Sequence, residues 1–552
     1  MRLCPKHKPG AYAAVMALVA VAALLLLPKP ELLNAYTYSD RIYDRNGQLL
    51  HLGLSLDDKY RIRVPLREIP PAAREALLLY EDRWFYEHPG VNPVSMLRAV
   101  WQMLTGGRRQ GASTLTMQVA RIVYHIDSSS VSGKLLQIVR ALQLEIFYSK
   151  DEILEAYFNL APYGGNIEGI AAAAQVWFNT PVSRLNLPQI LTLTVIPQNP
   201  VKRSPATPAG LKNAAAAAAR LKELWREKHP ISADDDLNLP LSSGRFLPHE
   251  APHAVRRLRE TARGKIAATL DENLQKQTEA ILSKYVKDNA GRGIFNAAAI
   301  LVDYKTAEVL SAVGSADFFN EKIDGQVDGT AALRSPGSAL KPFIYALALD
   351  QGLIHPRTML KDVPKNYGLY TPENFDRSFY GLVNATQALV YSRNIPAVDL
   401  LLRLEENSFY QMLEKAGVKK LKTPGYYGLA LALGGAEVSA QDLAALYAML
   451  GNGGKFRPLR WRKDEPQLPE TAMLSPEAAF LTLDMLSYNA PVDRRRLPFA
   501  KRSGTPYKVY WKTGTSYGYK DAWAAGLFGD YVLVVWVGNF DGTPNPAFTG
   551  RE

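Results

Sequence analysis

The chain has 552 residues, 47% of them hydrophobic, and a formal net charge of +12 at neutral pH. That length exceeds one ordinary domain and predicts two or three, each able to bury a sizeable core. A single cysteine, Cys4, excludes an internal disulfide, a cysteine-based metal site and, past residue 4, a cysteine nucleophile. The positive charge has no long basic run or nucleic-acid motif behind it, which leaves an anionic membrane surface or a phosphorylated substrate rather than nucleic acid.

Residues 11–27 are apolar throughout and follow Arg2, Lys6 and Lys8. A cleavable signal peptide and an uncleaved anchor both fit that pattern. Pro28, Lys29 and Pro30 replace the small residues that cleavage requires, so an anchor over residues 11–28 is expected. The basic flank places residues 1–10 in the cytoplasm and the rest outside.

Residues 34–70 read as short strands and turns, with a turn signal from Asp44 to Gly47. A helical stretch from Ala73 to Tyr80 then ends in Glu81 and Asp82. A carboxylate pair there is commonly a solvated helix end, but the surroundings form a longer pattern. Glu81, Asp82, Phe85, His88 and Gly90 follow E-D-x-x-F-x-x-H-x-G, with Arg98 and Ala99 closing the segment. GASTLTMQVAR (111–121), KLLQIVRALQLE (134–145) and a helix carrying Tyr157 and Asn159 come next. Across about residues 40–200 the chain resembles glycosyltransferase family 51, the lipid II polymerases of bifunctional penicillin-binding proteins.

The resemblance implies that the 4-hydroxyl of one lipid-linked disaccharide attacks the anomeric carbon of a growing chain, expelling a polyprenyl pyrophosphate. Glu81 takes the role of general base, with Trp84, Phe85 and Tyr86 as an apolar cluster able to raise its pKa. Arg121, Lys134 and Arg140 are the candidate cations for the departing pyrophosphate, and a divalent cation (magnesium or manganese) could share that load. Asp82, Ser113, Thr114, Thr116 and Gln118 are the candidate substrate-binding groups, while Tyr157 and Asn159 are expected to be structural. One departure stands out: the family's third motif reads R-K-x-x-E, yet its carboxylate position here is Gln137, and Gly133 precedes Lys134. Gln137 hydrogen-bonds but carries no charge. Either the second carboxylate only positions substrate, or Asp82 or Glu145 takes its role, or polymerisation is weak; activity is expected. The stretch LRAVWQMLTGGRRQ, with Arg98, Arg108 and Arg109, has the composition of a membrane-interface segment and equally of a core helix with an arginine-rich end.

Residues 226–290 are rich in prolines and turn residues at first and read as a linker, with an amphipathic helix leading out of it. His249 and His253 are expected to be exposed there rather than to bind metal. Strands then alternate around a turn at Lys305 and Thr306. RSPGSALKP (334–342) follows, and its Pro336–Gly337 pair opens a helix. Ser338 and Lys341, three apart, share one helix face near the positive end of its dipole, which suits a nucleophilic serine with a lysine base. Alone this pairing is weak. YSRNIPAV adds Ser392 and Asn394, and YWKTGTSYGYKDAW adds Lys512, Thr513, Gly514 and Thr515. S-x-x-K, S-x-N and K-T-G in that order form the serine acyl-transfer set.

This half resembles the penicillin-binding transpeptidases. The resemblance implies a five-stranded sheet covered by helices, with K-T-G on the edge strand. It also implies that Ser338 attacks a D-alanyl-D-alanine carbonyl, Lys341 takes its proton, Ser392 relays protons, and Asn394 holds substrate or Lys341. Lys512, Thr513 and Gly514 bind the substrate carboxylate, and the N–H groups of Ser338 and Thr515 form the oxyanion hole. The expected whole is multidomain: a transmembrane helix; a mainly α, lysozyme-like glycosyltransferase domain (40–225); and an α/β transpeptidase domain (291–552) lacking its closing helix. The expected setting is the bacterial inner membrane, single-pass, with lipid II, nascent peptidoglycan and β-lactams as partners, alongside other cell-wall synthesis proteins. Two other readings compete: a penicillin-binding sensor or scaffold with a silent polymerase site, and a carboxypeptidase or β-lactamase. The long first region argues against the last.

Overall fold

The computed structural model describes residues 22, 24–26, 28–95, 98, 101, 113–229, 244–368, 370–489 and 508–550. The anchor expected over 11–28 and the arginine-rich stretch 97–110 fall almost wholly outside these. Among the described residues no helix is long and apolar enough to cross a membrane. The chain divides into two compact units: one takes the residues up to Asp40 together with Leu52–Pro248, the other Arg41–His51 and everything from His249 onward.

Strands β1 (Arg41–Tyr43) and β2 (Leu49–Leu52) open the chain's regular structure and are discussed with the second unit. The first unit is helical. Among its described residues, a parallel strand pair joins β3 (Tyr60–Arg61) to β4 (Ile167–Glu168). The buried Arg61 fixes that pair, donating to Asp57 at 3.0 Å and from Nε to Glu168 at 3.1 Å. Helix α1 (Pro71–Glu81) starts on a proline, whose missing N–H costs nothing there, and buries Ala73, Ala76 and Leu77. Helix α2 (Leu115–Val123) is capped by Thr114, and α3 (Val131–Phe147) by Ser130. Helix α4 (Lys150–Leu160) carries a reciprocal Ser149–Glu152 capping box. Three further helices, α5 (Ile170–Phe178), α6 (Leu187–Val195) and α7 (Pro208–Lys228), complete the unit. Helix α2 packs between α3 and α4, and α1 packs against α6 and α7. The ends of α1 and α2 therefore meet, which sets the first candidate site.

The second unit is built on a five-stranded antiparallel sheet. Its strands are β6 (Asn296–Asp303), β7 (Glu308–Val313), β12 (Val509–Thr515), β13 (Asp521–Phe528) and β14 (Tyr531–Gly538), in the order β12-β13-β14-β6-β7. Strand β6 is buried on both faces, and its period of two sorts its side chains. Ala298, Ile300 and Val302 face the main core. Ala297 and Ala299 face Leu282 and Val286 of helix α9 (Glu272–Asn289).

The sequence reading put α9 and its approach in a linker over 226–290, but the division falls at 248/249. Helix α8 (Pro252–Thr261) packs on β7, and α9 covers the alanine face that would otherwise meet water. Likewise the segment from Arg41 to His51 joins the second unit, because β1 pairs in parallel with β5 (Lys265–Ala267). His253 is buried on α8 rather than exposed, and its Nε2 lies 3.0 Å from the Gly325 carbonyl.

Strand β7 is the sheet's edge, and α9 satisfies part of its backbone. The Gln275 side chain accepts from Ala312 N–H at 2.9 Å and donates to Ala312 O at 3.2 Å. Gln275→Leu leaves both groups buried and unpaired, so a loss of about 1–3 kcal/mol is expected. Urea unfolding followed by tryptophan fluorescence measures it; an unchanged midpoint would detach α9 from the stability of this unit.

Candidate active sites

In the first unit Glu81 is the last residue of α1, at the negative end of the helix dipole. Burial pushes its carboxyl above the ordinary glutamate range, against the opposing pull of the Gln118 amide, Arg203 and Arg121. Gln118 Nε2 donates to Glu81 Oε2 at 2.9 Å. Glu81 Oε1 and the Tyr157 hydroxyl are both buried, and neither has a hydrogen-bond partner among the described residues. Burial, aided by the Glu81 charge, holds the Tyr157 phenol well above its ordinary pKa. Of the expected aromatic cluster only Phe85 is buried; Trp84 and Tyr86 are exposed.

Asp82 is committed elsewhere. Its carboxylate meets His88 Nε2 at 3.0 Å and accepts from Leu115 N–H at 3.0 Å, at the start of α2. Gly90 N–H donates to His88 Nδ1 at 3.2 Å, so the ring carries its proton on Nε2 and gives it to Asp82. Asp82 thus ties the end of α1 to the start of α2. Thr114 is spent as the cap of α2 and donates to Gly90 O at 2.6 Å. Thr116 donates to Glu145 at 2.5 Å, and Glu145 also pairs with Lys150 at 2.7 Å. These side chains, expected to touch substrate, hydrogen-bond to groups of the protein itself. Asn159 is structural as read, bonding both backbone groups of Val64.

The cations lie beyond. Lys134 Nζ donates to Ser113 Oγ at 3.3 Å and to Gln137 Oε1 at 3.1 Å. Burial and the neighbouring Arg121 lower its pKa. Arg121 acts electrostatically on both Lys134 and Glu81. Arg140 lies over the Tyr124 ring at 4.5 Å and donates to Gln143 at 2.8 Å. Arg203, unread in the sequence, donates to the Tyr80 hydroxyl at 3.1 Å and acts on Glu81. It follows a proline-flanked turn with no periodic signal. A shared divalent cation finds no ligand set: no group of three or more His, Cys, Asp or Glu among the described residues is placed to hold one.

In the second unit Ser338 sits in a tight turn, Gly337–Leu340, and Lys341 begins helix α10 (Lys341–Asp350). Strand β12 crosses that turn closely. A Cβ on Gly337 would lie 2.3 Å from Thr515 O, and one on Gly514 would lie 2.1 Å from Pro336 O. Both positions therefore demand glycine. Trp523 Nε1 donates to Ser335 O at 2.9 Å, and the Tyr447 hydroxyl donates to Ala339 O at 2.8 Å, fixing the turn from below.

Lys341 is fully buried, and its Nζ meets Ser392 O at 2.7 Å, Arg393 O at 3.1 Å and Asn394 Oδ1 at 2.6 Å. Burial holds its pKa well below that of a free lysine, helped by the charges of Lys512 and Arg393. Lys512 Nζ donates to Ser392 Oγ at 2.9 Å and to Thr513 O at 2.8 Å. Ser392 therefore stands between the two lysines, in left-handed backbone with φ of +59°. The side chains of Lys341, Ser392, Asn394 and Lys512, read as parts of one acylating set, are gathered in one network, and the partly exposed Ser338 lies in the turn that leads into Lys341.

Comparison with known proteins covers both units. A transglycosylase family model matches residues 46–226, and a penicillin-binding protein transpeptidase domain model matches residues 297–546. Penicillin-binding protein 2D of Bacillus subtilis is 30% identical over 81% of this chain and 67% of its own length. The chain belongs to the penicillin-binding proteins that join a transglycosylase to a transpeptidase. Penicillin-binding protein 1C of Escherichia coli is 39% identical over 88% of this chain, and the match spans 63% of that relative's length. The crystal structure of penicillin-binding protein 1A from Haemophilus influenzae shares the fold, with a TM-score of 0.53 at 17% identity, over 93% of this chain and 90% of that one.

Within a penicillin-binding protein, Gln137 has a definite physical place. It is 1% exposed, and its Nε2 donates to Met117 O at 2.6 Å, which turns Oε1 toward Lys134. A carboxylate would set oxygen against oxygen at Met117. Gln137→Glu is therefore expected to lose about 1–3 kcal/mol, read as a lower melting temperature at pH 8 than at pH 5. Equal melting temperatures for the variant and the parent at both pH values would show that the amide is dispensable.

Proposed function

We propose that this penicillin-binding protein polymerises lipid II and cross-links the stem peptides of the product. The observation that carries the reading is Lys341: an amine whose pKa is depressed by burial and by two neighbouring cations, three residues after a partly exposed serine. Ser338 gives its proton to Lys341 Nζ as its oxygen bonds the D-alanyl-D-alanine carbonyl. The N–H groups of Ser338 and Thr515 stabilise the oxyanion. The C–N bond then breaks, and Ser392 hands a proton to the departing amine. Lys512 and Thr513 take the substrate carboxylate, with Gly514 letting the strand approach. An amine of a second stem resolves the ester and makes the cross-link.

In the other unit Glu81 removes the proton of the acceptor hydroxyl, with Gln118 orienting it and Tyr157 beside it. Arg121 and Lys134 receive the pyrophosphate, with Ser113 adjoining Lys134. Gln137 sets the Lys134 ammonium. The lipid-linked substrate places this unit at the outer face of a cytoplasmic membrane, with residues 11–28 as the anchor.

Purified chain incubated with labelled lipid II, with and without penicillin, tests the whole. Glycan strands are expected in both arms, and cross-links only without penicillin. Glu81→Gln should abolish polymerisation while leaving penicillin labelling intact, and Ser338→Ala should do the reverse. Because burial raises the Glu81 carboxyl, polymerisation should fall on acidification at a higher pH than a free glutamate would give. Glycan synthesis by Glu81→Gln at the parent rate would remove Glu81 from the mechanism.

A further inference from the structure

The residue between the motif's serine and asparagine is a buried arginine, and each of its three side-chain nitrogens donates a hydrogen bond. Arg393 is 3% exposed. Its Nε donates to Asp362 Oδ2 at 2.8 Å and its Nη1 to Asp376 Oδ2 at 2.9 Å. Its Nη2 donates to Ser378 O, and the guanidinium lies 4.1 Å from the Tyr380 ring centroid. Asp362, fully buried on strand β8 (Met359–Asp362), also accepts from Asn374 Nδ2 at 2.7 Å and Tyr380 N–H at 3.0 Å. Asn374 in turn accepts from Asn394 N–H at 2.7 Å, and Asn394 Nδ2 donates to Glu373 O at 2.6 Å. The network thus locks the loop from Glu373 to Tyr380 onto the motif, and that loop turns the Asn394 amide oxygen toward Lys341.

We propose that Arg393 is a positioning residue for serine acylation: its guanidinium, pinned between Asp362 and Asp376, holds the Ser392–Asn394 turn so that Ser392 O, Arg393 O and Asn394 Oδ1 converge on Lys341 Nζ. The turn needs such a pin. Ser392 sits at φ +59°, a region that costs a non-glycine residue free energy unless its surroundings over-determine it. A fork with five donors in one plane meets two carboxylates, a carbonyl and a ring face at once, which an ammonium cannot do. Charge acts in the same direction as geometry. The groups facing Lys341 are Lys512 from β12, Arg393 from the turn itself and Asp362 from β8. The two cations favour the neutral amine that a base requires, and Asp362 opposes them; Arg393 both adds its own charge and neutralises Asp362.

This inference rests on the acyl-transfer reading of Ser338 and Lys341. The test is the second-order rate constant for acylation by a fluorescent penicillin, measured on the full chain from about pH 5 to pH 10. Thermal melts check that each variant is folded. Arg393→Gln removes a cation and unpairs Asp362, so Lys341 holds its proton to higher pH. Acylation should slow at least about tenfold, with its acid limb moved upward. Arg393→Lys keeps the charge and loses the fork. It should slow acylation several-fold with the acid limb in place.

Arg393→Lys at the parent rate would overturn the proposal, and it decides the matter alone if Arg393→Gln does not fold. A folded Arg393→Gln that is slowed with an unmoved limb would also overturn it, reducing Arg393 to scaffolding. Labelling of Ser338→Ala to the parent extent is a different failure, because it would dismiss the acylating serine itself.

Discussion

A buried amine whose pKa is pushed well below that of a free lysine is the constraint on which the second unit turns. Lys341 is wholly enclosed, and a charged ammonium there is disfavoured by lost hydration. Lys512 and Arg393 add like charge, yet three oxygens surround the nitrogen. The balance leaves an amine that can take a proton and is held in place while it does. Much of the local fold serves that balance. The left-handed Ser392, the glycines at 337 and 514, and the Trp523 and Tyr447 bonds to the serine turn all keep strand, turn and motif within van der Waals distance.

The first unit solves the converse problem with the opposite charge. Glu81 ends a helix, is largely buried, and keeps one oxygen without a partner among the described residues. Burial and the dipole raise its proton affinity; Gln118, Arg121 and Arg203 restrain the rise. The neighbouring carboxylate, Asp82, has different surroundings: it is bonded to a histidine and to a backbone N–H at the start of a helix. Two adjacent acids thus differ: one keeps an oxygen without a partner among the described residues, and the other ties two helices together.

The short contiguous motifs were legible because acyl transfer fixes residue types at close spacing. Ser338–Lys341, Ser392–Asn394 and Lys512–Thr515 could be read from the chain, and the strands around Lys305 announced the sheet. What escaped was set by distant partners. The order of residues did not show that Asp82, Thr114 and Thr116 bond to Leu115, Gly90 and Glu145. Arg393 appeared as a variable position, since Asp362 lies 31 residues away. Helix α9 read as linker because its apolar face has meaning only against Ala297 and Ala299. The neutral Gln137 was visible, but not the Met117 carbonyl that makes an amide fit there.

The most direct test of this account is the ionisation of Lys341 itself. Nitrogen-15 lysine labelling, with Lys341→Arg to assign the resonance, would follow the Nζ titration in the full chain. A midpoint well below that of free lysine, which is about 10.4, is the result expected. A midpoint at or above the free value would mean that the buried nitrogen is an ammonium at working pH, and the serine would be left without its base.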